Sequence, residues 1–246
     1  MNVFLKSFGQ YLIMLGAMFQ RPEKPSMYWK EMIRQMYEIG IGSLPIIAII
    51  STFIGAVTAI QTAYQLLVSF IPKYYVGFIV RDSMILELGP TIGSLILAGK
   101  VGSSLATELG TMRISEQIDA LDVMGINTRG YLVIPKIGAA IIVVPLLIII
   151  GVALGCCGGM VAATAGGYMT PDQYIRGLHE FFVPYNAYIM VVKSVVFAFI
   201  LTSISCFHGF HADGGALEIG KASTTAVVQS CIFILIADYL LATLLL

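Results

Sequence analysis

The feature that most constrains this chain is a series of apolar runs, each long enough to cross a lipid bilayer as a helix. A transmembrane helix needs about 20 predominantly apolar residues. Five runs reach that length, at about residues 42–70, 77–107, 131–166, 186–207 and 220–246. The chain is 58% hydrophobic and only 11% charged, whereas soluble domains carry about 25% charged residues. The sequence therefore predicts an all-α polytopic membrane protein with five transmembrane helices, and it excludes a soluble enzyme.

Residues 1–40 are predicted to form a separate N-terminal region ahead of the five-span domain, which we place at residues 41–246. Large apolar side chains recur at three- and four-residue steps in the first 20 residues, at Phe4, Phe8, Tyr11, Leu12, Leu15, Met18 and Phe19. That spacing places them on one side of an α-helix. The stretch is short for a span and contains Gly9, Gln10 and Gly16. It therefore indicates a helix that lies in the membrane interface.

The Lys and Arg residues near the span ends are divided unevenly between the two sides of the membrane. Five spans place Lys6, Arg21, Lys24, Lys30, Arg34, Arg113, Arg129, Lys136 and Lys221 on one side, and Lys73, Arg81 and Arg176 on the other. Cytoplasmic segments of membrane proteins carry an excess of basic residues. We therefore expect the N-terminus, residues 108–130 and residues 208–219 to be cytoplasmic, and the C-terminus to face outward.

Three spans contain an ionisable residue well inside apolar sequence: Glu87, Lys193 and Asp238. Each lies roughly 7 to 10 residues from the outward end of its span, which corresponds to a depth of about 10 to 15 Å. Two acids and one base at a common depth can form a structural ion pair that fixes the helix register. Alternatively, they handle a polar substrate head or gate its passage, because intramembrane charges are commonly functional. Lys100 is expected to extend its ammonium toward the cytoplasmic face.

The sequence contains no complete motif for chemistry. Residues 215–222 have the spacing of a phosphate-binding loop, but Ala222 replaces the Ser or Thr that would bind magnesium. His208, His211 and Asp213 share one short loop without a fourth metal ligand. We therefore expect no catalytic residue, no cofactor site and no metal site in this chain. The balance of 14 basic and 14 acidic residues also gives no reason to expect a nucleic-acid partner.

The charged segment between the second and third apolar runs is predicted to be a cytoplasmic coupling helix at about residues 108–125. Apolar and charged side chains alternate along it, which favours docking of a short amphipathic helix in a partner's groove. We expect the segment to begin near Glu108 and end at Gly125, with Met112, Leu121 and Met124 in the groove and Arg113, Glu116 and Asp119 on its rim. The alternative is a helix that rests on the lipid surface.

Several blocks resemble the MlaE (YrbE) family of lipid-transport permeases. The main block is ELGPTIGSLILAGKVGSSLATELGTMRISEQIDALDVMGI, from Glu87 to Ile126. Residues 193–198 resemble the family's fourth-span block, and residues 214–239 resemble its C-terminal block. The resemblance covers essentially the whole chain after about residue 40.

This resemblance implies a homodimeric ABC transporter permease in the bacterial inner membrane, with phospholipid as cargo. It implies two cytoplasmic ATPase subunits, which bind ATP and magnesium and grip the coupling helix. An MCE-domain lipid-binding protein is expected on the periplasmic face, where the C-terminus would lie. The resemblance also assigns Glu87, Lys193 and Asp238 to the polar core and lipid cavity.

Two other functions remain open from the residues alone. An ion-coupled secondary transporter would use Glu87, Lys193 and Asp238 as a proton relay, and it would transport without an ATPase. A purely structural membrane anchor would tolerate neutralisation of all three charges.

Overall fold

The computed structural model describes residues 2–18, 25–66 and 72–245 of the chain, with side chains described from residue 9 onward in the first range and from residue 26 in the second. The side chains of Phe4, Lys6 and Phe8 are not described. The predicted position Phe19, the basic residues Arg21 and Lys24, and the end of the first apolar run at residues 67–70 lie outside the described structure.

Helices make up nearly all of the described chain, which confirms the predicted all-α class. In chain order they are α1 (Asn2–Ala17), α2 (Pro25–Leu66), α3 (Tyr75–Ser83), π1 (Met84–Ile92), α4 (Gly93–Leu97), π2 (Ala98–Gly102), α5 (Ser103–Ile114), α6 (Gln117–Val123), α7 (Thr128–Ala165), α8 (Pro171–His179), α9 (Pro184–Phe210) and α10 (Ala216–Leu245). Here π1 and π2 are π-helical turns within one long helix that runs from α3 to α5.

Within the described ranges, five helical stretches are long and apolar enough to cross a membrane, in agreement with the predicted number of spans. They are Ser26–Leu66, Tyr75–Ile114, Thr128–Ala165, Pro184–Phe210 and Ala216–Leu245. The predicted N-terminal helix is present as α1, and the polar connection at residues 168–185 contains the additional short helix α8.

The first span begins earlier than its apolar run. Its helix α2 contains 42 residues, so it is about 63 Å long, about twice the thickness of the hydrocarbon core. The polar residues after Pro25 therefore continue the span as one helix. Ion pairing within the helix accompanies this extension, since Arg34 Nε lies 3.1 Å from Glu38 Oε1 one turn away.

Helices α2 and α7 pack with their backbones in close approach. A Cβ atom at Gly55 would lie only 1.9 Å from the carbonyl oxygen of Gly155, and one at Gly158 would lie 2.4 Å from the Thr52 carbonyl oxygen. Small residues at four-residue spacing permit such contacts between membrane helices. Gly155 and Gly158 therefore belong to the face of α7 that packs against α2.

Helix α9 lies at the centre of the fold, and α2 and α10 lie at its surface. In the most apolar part of α9, 67% of the residues are buried, compared with 22% in α2 and 17% in α10. The outer faces of α2 and α10 are rich in exposed aliphatic and aromatic side chains, including Phe53, Leu235 and Tyr239. These faces are suited to contact with lipid or with a second copy of the chain.

The short helices α1 and α8 are attached at opposite ends of this bundle by polar contacts. The Tyr11 hydroxyl in α1 lies 2.8 Å from Ser203 Oγ of α9, and the Asn127 side-chain amide donates to the Ala17 carbonyl at 3.1 Å. In α8, the buried Tyr174 hydroxyl donates to the Cys156 carbonyl at 3.2 Å. Burial raises the pKa of the Tyr174 phenol, so it remains a donor at any physiological pH.

Candidate functional site

The three ionisable residues inside the apolar spans, which the sequence places at a common depth, meet in one cluster. Lys193 Nζ lies 2.7 Å from Asp238 Oδ1 and 3.2 Å from Glu87 Oε2. The same ammonium donates a hydrogen bond of 3.0 Å to the Leu86 carbonyl oxygen. The ammonium donates hydrogen bonds to Leu86 and Glu87, and its contact with Asp238 Oδ1 is an ion pair. The cluster joins π1, α9 and α10 at a single point.

The backbone around Leu86 is irregular where Lys193 meets it. Pro90 lies inside π1 and has no N–H group, so this turn lacks one backbone donor. The Lys193 ammonium supplies a donor for the Leu86 carbonyl from α9. π-Helical turns of this kind occur frequently at functional sites.

The three side chains differ in how far they are exposed at the surface of the chain. Lys193 is fully buried and the Asp238 side chain is 10% exposed, whereas the Glu87 side chain is 54% exposed. Thr91 Oγ1 donates a 3.1 Å hydrogen bond to Asp238 Oδ2, so the buried carboxylate has partners on both oxygens. Glu87 is therefore the member that presents a carboxylate to the surroundings, and when all three groups are ionised the cluster has one acid in excess.

The predicted coupling helix at residues 108–125 is divided into two pieces. Residues 108–114 complete α5 and continue the second span, while α6 is a separate short helix at Gln117–Val123. The break lies at Glu116, whose φ of 59° is in the left-handed region that a non-glycine residue rarely adopts. Gly125, with φ of 79°, then ends the segment, and a residue without Cβ takes that conformation at no steric cost.

Side-chain contacts hold α6 against its neighbours. Arg113 at the end of α5 forms an ion pair with Asp119 in α6. Thr128 Oγ1, in the first turn of α7, donates a hydrogen bond of 2.7 Å to Asp122 Oδ1. The short helix α6 is thereby connected to both the second and the third span.

The apolar residues of the coupling segment do not all face outward. Ile118 is fully buried, Met112 is partly buried against the same core cluster, and Leu121 is half-buried. The side chains most open to a partner are Val123, which is 88% exposed, and Met124, which is 65% exposed. Of the three predicted groove residues, Met124 is therefore the most accessible. Val123 was not among the predicted groove residues, although it is more exposed than any of them.

A cavity of about 660 Å³ opens beside α6. Its lining includes Arg113 and Asp119 from the coupling segment, together with Arg129, Phe210 and Asp213 from the neighbouring elements. The Arg129 guanidinium stacks over the Phe210 ring at 5.9 Å. Both signs of charge line this cavity, which suits the mixed polar rim of a protein interface.

The two histidines near Asp213 have partners of their own. His208 Nε2 lies 2.7 Å from Gln229 Oε1, and His211 Nδ1 lies 2.9 Å from the Phe207 carbonyl oxygen. Within the described ranges, no group of three or more His, Cys, Asp or Glu side chains is arranged to hold a metal ion.

Comparison with known sequences decides the family. The family described as Permease MlaE matches residues 32–244. The chain belongs to the MlaE permease family. Individual relatives match this chain over almost its entire length. A "Probable ABC transporter permease protein" of Rickettsia bellii is 37% identical over 97% of this chain and 92% of its own length.

Two more distant relatives have more specific names. The "Intermembrane phospholipid transport system permease protein MlaE" of Haemophilus influenzae is 30% identical over 97% of this chain and 91% of its own length. The "Protein TRIGALACTOSYLDIACYLGLYCEROL 1, chloroplastic" of Arabidopsis thaliana is 31% identical over 94% of this chain and 66% of its own length. Together with the five spans, these findings make this MlaE permease the membrane subunit of an ABC transporter.

An ion pair near the coupling segment of this MlaE permease was not anticipated from its sequence. Lys136 Nζ in α7 lies 2.6 Å from Glu108 Oε2 in α5. The Lys136 side chain is only 2% exposed, whereas that of Glu108 is 40% exposed. Both residues lie near span ends on the side assigned to the cytoplasm, but their pairing depends on how α5 and α7 cross.

A second unanticipated cluster surrounds Arg81, which the sequence suggested only as a charge at a span end. Its guanidinium donates to the carbonyl oxygens of Leu178 at 2.7 Å, Glu180 at 2.9 Å and Phe181 at 3.3 Å. It also stacks over Phe78 at 5.1 Å. Arg81 is 4% exposed, and it fixes the turn after α8 rather than facing solvent.

Proposed function

We propose that this chain is the permease of an ATP-driven phospholipid transporter in the bacterial inner membrane. It would work as a homodimer, with two cytoplasmic ATPase subunits and a periplasmic MCE-domain lipid-binding protein. ATP and magnesium would bind to the ATPase, because the chain has no complete nucleotide motif of its own. The cargo assignment is supported by the Haemophilus influenzae relative, whose name specifies intermembrane phospholipid transport.

The observation that carries the ATPase partnership is the exposed apolar tip formed by Val123 and Met124. Their exposed fractions of 88% and 65% are high for apolar residues, and the tip projects from a helix that is anchored by the fully buried Ile118. A rigidly held apolar tip with charged neighbours suits insertion into a partner's groove. The excess of basic residues on the same side supports a cytoplasmic location.

The geometry also supports a route by which ATPase motion reaches the membrane interior. The Arg113–Asp119 ion pair connects α6 to α5, and α5 is continuous with π1, where Glu87 lies. Closure of the ATPase pair would move α6 and displace the second span. We expect this displacement to narrow an outward-opening cavity between two permease subunits, where Glu87 meets the polar head of the lipid.

The proposal is tested by affinity purification of the tagged chain in mild detergent, followed by mass spectrometry of the intact complex and its extracted lipid. We expect two permease chains, two ATPase chains and bound phospholipid. Met124→Asp is expected to lose the ATPase chains while keeping the permease dimer, and Leu121→Asp to lose stimulated ATPase activity. The matched control is Leu217→Asp, which changes a 73% exposed leucine in the first turn of α10.

Two results would overturn the proposal. A Met124→Asp, Leu121→Asp double variant that retains the ATPase and full stimulated activity would contradict docking through α6. Purified chain that moves lipid under a proton gradient, without any ATPase, would establish the proton relay through Glu87, Lys193 and Asp238 instead.

A further inference from the structure

A second cavity lies between α2 and the π2–α5 part of the second span, away from the Lys193 cluster. Its volume is about 230 Å³. Lys100, on its wall, is 13 residues beyond Glu87 in the sequence, which corresponds to about 20 Å along the helix. The lining combines the apolar side chains of Ile39, Val101 and Leu105 with polar ones. The cavity is therefore amphipathic and separate from the site proposed above.

Two polar groups in this cavity have no partner in the part of the chain that the structure describes. The Ser43 side chain is 1% exposed, and its hydroxyl makes no hydrogen bond there. The Lys100 side chain is exposed and forms no ion pair with the described residues. A Cβ atom at Gly42 would lie 3.7 Å from Lys100 Nζ, so the ammonium reaches across to α2. Burial of a hydroxyl without a hydrogen-bond partner costs free energy. A ligand that accepts hydrogen bonds from both Ser43 and Lys100 would therefore bind favourably.

The position of the cavity along the membrane normal indicates which class of ligand it can bind. Its lining from α2 comprises Gln35, Glu38, Ile39 and Ser43, and the long apolar run of α2 begins at residue 42. The cavity therefore crosses the boundary between the polar and apolar parts of the span. A phosphate ester of a membrane lipid lies at that boundary, with its acyl chains on the apolar side.

Two carboxylates on the cavity wall indicate which lipid headgroup the cavity would bind. Glu38 and Glu108 both line the cavity, and each already has a cation, from Arg34 at 3.1 Å and from Lys136 at 2.6 Å. Their side chains remain 48% and 40% exposed. The carboxylate oxygens of these exposed side chains can accept hydrogen bonds from an amine.

We propose that this cavity binds the headgroup of a phospholipid that carries both a phosphate and a primary amine. The phosphate accepts from the Lys100 ammonium and the Ser43 hydroxyl, and the amine faces Glu38 and Glu108. The site does not depend on ATP hydrolysis or on the Lys193 cluster, so it can be tested separately from the transport proposal.

The test uses the full chain with a photoreactive diazirine amino acid at Ser104, which is exposed on the cavity rim. The protein is placed in nanodiscs that contain equal amounts of phosphatidylethanolamine and phosphatidylglycerol. After illumination, mass spectrometry identifies the adducts. We expect a predominance of phosphatidylethanolamine adducts at Ser104, and no preference between the two lipids when the diazirine is placed at Leu217.

Variants then assign the contacts. Loss of one charge-assisted hydrogen bond lowers occupancy by about tenfold, so Lys100→Met is expected to reduce the lipid adduct by that factor. Ser43→Ala should reduce it less, and Lys100→Arg should retain it. Lys221→Met is the control, because Lys221 already has an ion-pair partner in Glu218 at 2.6 Å.

Several outcomes would overturn the proposal. An unchanged amount of lipid adduct in the Lys100→Met variant would contradict the contact between Lys100 and the phosphate. Equal labelling of phosphatidylglycerol would contradict recognition of the amine. Adducts with a second copy of the permease would show that the cavity is a protein interface. Loss of the lipid adduct on addition of millimolar inorganic phosphate would show a site for free phosphate rather than a lipid headgroup.

Discussion

Lys193 Nζ lies 2.7 Å from Asp238 Oδ1, and this pair joins α9 to α10 where both helices are otherwise largely apolar. The second carboxylate, Glu87, lies 3.2 Å from the same nitrogen but is 54% exposed. The cluster therefore contains a buried pair and an accessible acid. A structural role would depend on the buried pair, whereas a role in contact with substrate would depend on Glu87. Substitutions can therefore test the two roles separately.

The buried pair is expected to determine stability. Lys193→Met would leave Asp238 and Glu87 together without a cation inside the bundle. Removal of one partner from a buried ion pair costs about 3–5 kcal/mol, so we expect a large fall in thermal unfolding temperature in detergent. The Lys193→Met, Asp238→Leu double variant should recover part of that loss. A single variant as stable as the unmodified chain would contradict this account.

Glu87→Gln should behave differently. Because its side chain is half-exposed, we expect a stability change within about 1 kcal/mol. If Glu87 contacts the lipid head, ATP-dependent lipid transfer between vesicles should nevertheless fall several-fold. Normal transfer by a stably folded Glu87→Gln variant would show that the cluster only braces the helices.

The common depth of Glu87, Lys193 and Asp238 could be predicted because the ends of apolar runs are visible in the sequence and the rise per residue of a helix is nearly constant. The hydrogen bond that Lys193 donates to the Leu86 carbonyl could not be predicted in this way. Pro90 shows that a backbone donor is missing, but which side chain meets this turn depends on the packing of α9. Local sequence patterns do not contain that information.

The coupling segment shows a second limit of sequence-based prediction. Its polar character and position predicted an exposed amphipathic element, and α6 is one. The division at Glu116 was not predicted, because glutamate has no intrinsic preference for the left-handed conformation. Ile118 and Val123 are five residues apart, which places them on different faces of α6, and Ile118 is buried whereas Val123 is exposed.

Arg81 is expected to stabilise the turn that follows α8. Arg81→Lys would keep the charge but lose the planar fork that reaches three carbonyl oxygens. Hydrogen bonds to charged groups contribute about 1.5–3 kcal/mol each, so local opening should become easier by about 2–4 kcal/mol. Hydrogen exchange of residues 178–183 measures this change. The control is Arg176→Lys, since Arg176 is 68% exposed, and exchange that is equally slow in both variants would contradict the prediction.

Gly55→Ala is expected to separate α2 from α7. The new methyl group would lie 1.9 Å from the Gly155 carbonyl oxygen, and a backbone atom cannot move aside as a flexible side chain can. Overpacking costs about 1–3 kcal/mol or more, so the thermal unfolding temperature should fall. Gly220→Ala provides the comparison, because its Cβ would meet no atom within 4 Å and alanine favours the helix. Equal unfolding temperatures for the two variants would argue against close α2–α7 packing.

The ion pair between Lys136 and Glu108 should respond differently to the loss of each partner. Glu108→Gln leaves the charge of Lys136, which is 2% exposed, without an anion, whereas Lys136→Met leaves a Glu108 side chain that is 40% exposed and can be solvated. We therefore expect Glu108→Gln to cost about 1–3 kcal/mol and Lys136→Met to cost less than about 1 kcal/mol.

The double variant Glu108→Gln, Lys136→Met distinguishes this ion-pair effect from a general effect of substitution near the coupling segment. It should be more stable than Glu108→Gln alone, because it no longer contains a buried unpaired charge. Thermal unfolding of all four proteins in the same detergent completes the cycle. Equal losses from the two single variants, or additive losses in the double variant, would show that Lys136 reaches solvent when its partner is removed.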